Sequence, residues 1–349
     1  MTRTFYEAEL QEQPTSLERL LREGRAAAEA AAEKVRRRPV RFAVLAARGS
    51  SDNAARYGQY ALGIRNRLVA ALATPSLFTH YRAAPSLGEA LVVGISQSGQ
   101  SPDIVEVLRE ARRQGAATIA VTNDAASPLA AAAESVLPLL AGRERSVAAT
   151  KTYTAQLMAL AMLSAALGGD EGPWTELGAV PGTVARVIDG CAGLGSAAPR
   201  FRDHPGLVVV GRGYNLSTAF EVALKVKETS GILADGYSSA DFLHGPKAIL
   251  EQRQRPPVLV VAPGPRTFDD LDGVVRLVRE LGAPLLAVSD RDEILEGADV
   301  AMSLPPGTPE WLSPLVAVVP GQAWALGLSL ARGRNPDAPA GLTKVTLTR

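Results

Sequence analysis

The sequence predicts an α/β fold of two tandem, doubly wound parallel sheets, each a three-layer α/β/α sandwich, behind an N-terminal helical segment. Three observations point there. Short β-rich apolar runs alternate with helical stretches along most of the chain. The runs are nearly continuous in apolar residues, as strands covered on both faces are. The second half then repeats the pattern of the first.

Taken in order, Ser16–Arg38 comes first, a charged stretch of helical periodicity with Leu17, Leu20 and Leu21 on one face. The strands expected next are Arg41–Leu45, Leu91–Ile95, Ala117–Val121 and Val136–Leu140. A second series is Leu207–Val210, Val258–Val261, Leu285–Val288 and Val300–Leu304. Alternation with helices makes these parallel strands of layered sheets. Val44-Leu45-Ala46-Ala47-Arg48-Gly49 parallels Val208-Val209-Val210-Gly211-Arg212-Gly213, and both lead into Ala-rich helices. Gly168–Gly182 reads as the lead into a linker. The expected division is therefore 1–38, a helical segment; 39–182, a first sheet unit; and 183–349, a second.

Lys plus Arg is 37 and Asp plus Glu 36, so the net charge is +1 and a general nucleic-acid binder is not expected. Hydrophobic residues at 46% and charged residues at 21% make an ordinary globular mixture. One cysteine, Cys191, excludes an internal disulfide framework and a Cys-based zinc site, and it fits a reducing cytosol. The first ten residues carry acids where a signal peptide needs an apolar stretch. Leu157–Leu167 is too short to span a bilayer, and Leu312–Leu330, interrupted by Pro314, Pro320 and Gln322, reads as a buried helix. A soluble, cytoplasmic protein without a membrane segment is the expectation.

Chemistry is expected at two places. Ile95-Ser96-Gln97-Ser98-Gly99-Gln100-Ser101-Pro102-Asp103 lies between a strand and a helix. Its serines offer hydroxyl donors, Gly99 permits a tight turn, and the helix N-terminus adds free N–H groups. That combination suits a phosphate monoester without a metal. Ser50 and Ser51 follow the first strand on the same sheet edge, where open α/β sheets bind ligands. Thr150 and Lys151 follow the fourth strand and could close the pocket. Serines after a strand also serve as turn and cap residues, and Ser50-Ser51 alone reads that way. The Ser96–Ser101 cluster exceeds what one cap requires. The second half has Ala262-Pro263-Gly264-Pro265 there instead, so one phosphate site per chain is expected. Neither a Gly-x-x-x-x-Gly-Lys-Ser/Thr loop nor a dinucleotide fingerprint is present, which points to a small phosphorylated ligand and no nucleotide cofactor.

The second place is Glu221, Lys225 and Glu228, which share a helix face at spacings of four and three. Spacing alone reads as an exposed, salt-bridged helix. His244 precedes Gly245-Pro246, and Lys344 stands just before the terminal Val345–Arg349. By default these are a turn histidine and a surface lysine.

Taken together, the motifs Phe5–Pro14, Gly49-Ser50-Ser51, Ile95–Ser101, Val147–Thr152, Gly211–Tyr214, Glu221–Glu228, His244-Gly245-Pro246 and Leu342–Lys344 change that reading. In this order they resemble the sugar isomerase (SIS) family, and within it the isomerase half of the glutamine-dependent glucosamine-6-phosphate synthases. The resemblance implies two SIS subdomains, a sugar 6-phosphate substrate and a homodimer, and no cofactor is expected. It implies that Ser51, Ser96, Gln97, Ser98 and Ser101 hold the phosphate and that Val147 lines the sugar. Glu228 matches the base that moves a proton between C1 and C2. His244 matches the ring-opening residue, supplied across the dimer interface, and Lys344 the lysine that forms a Schiff base with the ketose. Glu144, Glu221 and Lys225 match supporting positions. A carboxylate, an imidazole and an amine suit proton transfer, ring opening and carbonyl attack respectively.

The sequence also departs from the synthase pattern. The synthases release ammonia with an N-terminal catalytic cysteine; this chain starts Met1-Thr2 and carries only Cys191. The expectation is therefore the reverse reaction, an amino-sugar 6-phosphate deaminase/isomerase, as in stand-alone two-SIS deaminases. Synthesis with external ammonia, a fructosamine-6-phosphate deglycase and a non-catalytic sugar-phosphate sensor are the alternatives. Ala149 stands where the synthases have serine, and Ala340 where they have arginine.

Overall fold

The computed structural model describes residues 3–344; Met1, Thr2 and Val345–Arg349 lie outside the described residues. The chain runs α1 (Phe5–Gln11), α2 (Gln13–Arg36), β1 (Phe42–Ala46), α3 (Ser50–Arg65), β2 (Val69–Leu72), α4 (Ser76–Thr79), β3 (Ala90–Ile95) and α5 (Pro102–Arg113). Next come β4 (Ala117–Thr122), α6 (Pro128–Ala132), β5 (Ser135–Pro138), α7 (Lys151–Gly168), α8 (Gly172–Gly190) and α9 (Leu194–Ala197). The remainder is β6 (Gly206–Gly211), α10 (Leu216–Ser230), β7 (Leu233–Ser238), α11 (Ser239–His244), β8 (Val258–Val261), α12 (Phe268–Glu280), β9 (Leu285–Ser289), α13 (Asp292–Leu295), β10 (Val300–Ser303) and α14 (Ser313–Ala331).

Two compact units result. The front unit holds residues 15–144, 151–179, Thr343 and Lys344; the back unit holds 3–14, 145–150 and 180–342. Each contains one five-stranded, wholly parallel sheet, ordered β2-β1-β3-β4-β5 in the first and β7-β6-β8-β9-β10 in the second. The two orders are the same permutation, as expected of a duplicated unit. β3 and β4 are buried throughout because helices cover both faces. Val92, Leu108, Ala120 and Leu129 pack in the front core, and Val210, Val260, Val275 and Ala287 in the back one.

Each sheet has an edge strand that the sequence pattern does not reveal. β2 reads Val-Ala-Ala-Leu, and β7 carries Asp235 and Gly236, so neither shows an apolar run. Both are partly exposed, as edge strands are, and β-propensity is weakest there. Gly168–Gly182 also differs from the expected linker: most of it is helical, in α7 and α8. Trp174, Leu177, Val180, Val184, Val187 and Ile188 recur at helical spacing and are buried. Apolar periodicity outweighs the glycines and Pro181. Among the described residues, Glu310–Ala331 is long and apolar enough to cross a membrane, yet 78% of its apolar window is buried inside the molecule, so it is a core helix.

Candidate functional site

In the front unit the expected phosphate loop follows β3. Gly99 turns the chain at φ 63, a left-handed conformation that suits glycine. A Cβ there would stand 2.1 Å from Ser127 Oγ, so the backbone is pressed against the start of α6. The Gly99 N–H donates to Ser96 Oγ at 3.1 Å, and the Gln100 N–H donates to Ser98 Oγ at 3.3 Å. Gln97 O accepts the Asn123 N–H at 3.1 Å, and Gly99 O accepts the Leu129 N–H at 3.1 Å. Both contacts fasten the loop to neighbouring segments. Ser101 is the N-cap of α5, but its side chain makes no capping hydrogen bond. Pro102 at the first helical position fits the fixed φ of a helix start. The loop thus presents serine oxygens at the positive end of a 12-residue helix, an arrangement that favours anions.

Ser51, in the first turn of α3, is buried and accepts from Gln156 Nε2 at 3.0 Å. Gly49, at φ 55, turns the chain between Arg48 and Ser50. Lys151 is almost fully buried and donates to Arg143 O at 2.7 Å, so its ammonium serves a backbone carbonyl. Thr150, likewise buried, belongs to the back unit, where its O accepts from Gln322 Nε2 at 3.4 Å.

The same unit ties Glu144 to Lys344. Glu144 Oε1 accepts the Thr152 N–H at 3.1 Å, and Oε2 accepts both Thr152 Oγ1–H and Lys344 Nζ at 2.6 Å. The carboxylate is fully buried at the N-terminus of α7, where the helix dipole favours negative charge. A lysine 200 residues away in sequence is held there. It is a partly buried ion pair and no surface lysine.

In the back unit Glu221, Lys225 and Glu228 line one face of α10. Lys225 Nζ lies 2.5 Å from Glu228 Oε2 and 3.4 Å from Glu221 Oε1. The exposed-helix reading does not hold: the side chains of Glu221 and Lys225 are 0% exposed, while that of Glu228 is 24% exposed. Spacing identified the shared face but could not tell which side of the helix is inside. Two carboxylates and one ammonium out of water are a poor stability device, because desolvation consumes most of their attraction. Glu228 alone keeps a solvent-facing edge.

His244 is the last residue of α11, is exposed, and makes no hydrogen bond to the α10 carboxylates among the described residues. Val147 donates its N–H to Asp337 O at 3.0 Å. The Asp337 carboxylate in turn accepts the N–H groups of Phe5 and Tyr6, capping α1. The Glu9 carboxylate accepts the N–H groups of Arg145 and Ser146. Acids on the opening helix and near the C-terminus therefore fasten the segment that carries Val147.

Sequence reasoning passed over Arg48, Asp103, Thr152 and Gln156, which hold the expected residues in place. Arg48 lies inside the repeated Val44–Gly49 segment, and Asp103 ends the serine loop. A groove of about 1060 Å³ on the front unit, lined by Arg82, Arg109 and Arg113 among others, takes in Gln100 but none of the serines.

Known proteins share this fold. The SIS domain model matches residues 39–166 and again 201–331. Glutamine–fructose-6-phosphate aminotransferase (isomerizing) from Thermococcus kodakarensis is 36% identical over 263 residues, covering 73% of this chain and 43% of that protein. The chain spans about half the length of the curated relatives it matches. A crystal structure from Silicibacter pomeroyi DSS-3, of a protein provisionally assigned as a phosphosugar isomerase, aligns with a TM-score of 0.85 at 35% identity, covering 96% of this chain and 100% of that one. The C-terminal domain of glucosamine-fructose-6-phosphate aminotransferase from Francisella tularensis shares the fold, with a TM-score of 0.89 at 24% identity over 97% and 99% of the two chains. With two matched repeats covering well over half of its length, the chain belongs to the SIS domain family.

Proposed function

We propose that this chain is a phosphosugar isomerase that acts as an amino-sugar 6-phosphate deaminase, converting a hexosamine 6-phosphate and water to fructose 6-phosphate and ammonia. The observation that carries the reading is the α10 set, in which the half-open carboxylate of Glu228 is backed by buried Lys225 and Glu221. Such a carboxylate can accept a carbon-bound proton and return it.

Ser51, Ser96, Gln97, Ser98 and Ser101 hold the phosphate, with Ser50, Thr150 and Lys151 shaping the surroundings and Val147 lining the sugar. His244 assists ring opening. Its exposure at the end of α11 suits a residue delivered to a second copy in a homodimer. Glu228 then takes the C2 proton of the open-chain amino aldehyde and returns it at C1, leaving an imine at C2. Attack on that imine by Lys344 expels ammonia and forms a Schiff base, and water then releases the ketose. Glu144 holds Lys344 between turnovers through its 2.6 Å contact.

The one thiol among these residues is not an activated one. Burial pushes Cys191, the one cysteine of these 349 residues, up to about 12. It is unsuited to attack glutamine. A single cysteine also fits a cytoplasmic setting.

Incubation with glucosamine 6-phosphate or galactosamine 6-phosphate should release ammonia and a ketose 6-phosphate, and Glu228→Gln should abolish the release. Absence of ammonia from both compounds would overturn the deaminase reading. Ammonium with fructose 6-phosphate and, separately, fructosamine 6-phosphate distinguish the synthetic and deglycating reactions.

A further inference from the structure

We infer that Arg48, aimed by Asp103, is a charge-reading residue of the phosphate cradle, recognising the dianionic end of a phosphate monoester. The inference rests on the phosphosugar reading above and deepens it.

The serines and the α5 N-terminus offer hydrogen bonds but no formal positive charge. Arg48 lies in the loop between β1 and α3, two residues before Ser50. Its Nε donates to Asp103 Oδ2 at 2.8 Å and its Nη2 lies 2.8 Å from the same oxygen, and Asp103 sits two residues after Ser101 in the first turn of α5. One side-chain pair therefore straps the two serine-bearing loops together. Asp103 is spent in doing so, because its Oδ1 accepts the Ile104 N–H at 2.9 Å and its side chain is 1% exposed. The guanidinium is not spent. Arg48 is 51% exposed, and one of its five N–H donors is hydrogen-bonded to Asp103. A buried acceptor gripping a half-open arginine is how a planar donor fork is fixed for an anion.

The internal duplication supplies a comparison within the same chain. Arg212 follows β6 as Arg48 follows β1, and it pairs with Asp270 in the first turn of α12. That pair is longer, at 3.3 Å, and both side chains lie open, at 37% and 57% exposure. The back unit has no serine loop at this place. The arginine–aspartate strap is common to both units, but it is drawn tight and its acid buried only beside the serines. Asp52 on α3 is the other acid near Arg48, and its carboxyl is raised by burial against the opposing pull of Arg56 and Arg48. Asp52 pairs with Arg56 at 3.3 Å, which leaves Asp103 as the direct partner of Arg48.

The test compares two esters of one sugar, fructose 6-phosphate and fructose 6-sulfate, at pH 8 by titration calorimetry. They share shape but carry two charges and one. The wild-type protein should prefer the phosphate by at least about 10-fold. Arg48→Gln should weaken fructose 6-phosphate by on the order of 10- to 100-fold and the sulfate by about 3-fold or less. Arg48→Gln alone leaves Asp103 buried and unpaired, so the double change Arg48→Gln/Asp103→Asn serves where the single variant does not fold, with the same collapse of preference expected. Arg212→Gln should leave both affinities unchanged. Equal weakening of both esters would reduce Arg48 to a structural strap, and unchanged affinity would remove it from the site; either result overturns the inference. Binding of neither ester by the wild-type protein is a different result, and it removes the phosphosugar reading itself together with this assignment.

Discussion

Lys225 offers the sharpest perturbation of the α10 set. Lys225→Met keeps the length of the side chain and deletes the ammonium that lies 2.5 Å from Glu228 and 3.4 Å from Glu221. Glu221 is fully buried, so one carboxylate loses this ammonium in the interior and a second loses it at the edge. Removing one partner of a buried pair costs about 3–5 kcal/mol, because the remaining charge stays desolvated. At about 2–4 °C per kcal/mol for a domain of this size, the melting temperature should fall by roughly 6–20 °C. Adding Glu221→Gln removes that buried charge, so the double variant should recover at least half of the loss. Urea unfolding of the wild type, both single variants and the double variant closes the cycle. A cost below about 1 kcal/mol for Lys225→Met, or no recovery in the double variant, would refute the view of α10 as a costly buried charge set.

Other perturbations have equally definite outcomes. Gly99→Ala places a Cβ 2.1 Å from Ser127 Oγ at a left-handed φ, and it should cost about 1–3 kcal/mol in urea unfolding; a neutral result would contradict the close approach. Glu144→Gln weakens the hold on Lys344 and on the Thr152 N–H, so a loss of about 1.5–3 kcal/mol is expected, against under 0.5 if the contact is incidental. With its thiol pushed up to about 12, Cys191 should react with iodoacetamide at pH 8 about 10³-fold more slowly in the native protein than in urea. The same raised value means that its contribution to stability is complete below about pH 8.5 and is lost as pH rises towards 12. Equal alkylation rates in the two states would contradict the burial.

The central strands were legible because burial on both faces leaves continuous apolar text, as in Ala90–Ile95. Two of the four edge strands, Val69–Leu72 and Leu233–Ser238, were not, because each pairs on one side only and lacks the apolar run that marked the opposite edges, Ser135–Pro138 and Val300–Ser303. The serine loop was legible as a cluster exceeding any capping need, and Ser101 indeed makes no capping bond with its side chain. The charges on α10 were misread from spacing, since periodicity gives a shared face without saying whether it looks inward. Partners far apart in sequence, Glu144 with Lys344 and Arg48 with Asp103, needed coordinates to be joined.

Every catalytic reading given above requires Glu228 to exchange a carbon-bound proton of the open-chain sugar. Proton NMR of fructose 6-phosphate incubated with the protein in D₂O reads that exchange directly, without ammonia. The wild-type protein should erase a C1 proton signal, and folded Glu228→Gln should leave it intact. Loss of the signal at the same rate with both proteins, or with neither, would contradict the assignment of the base.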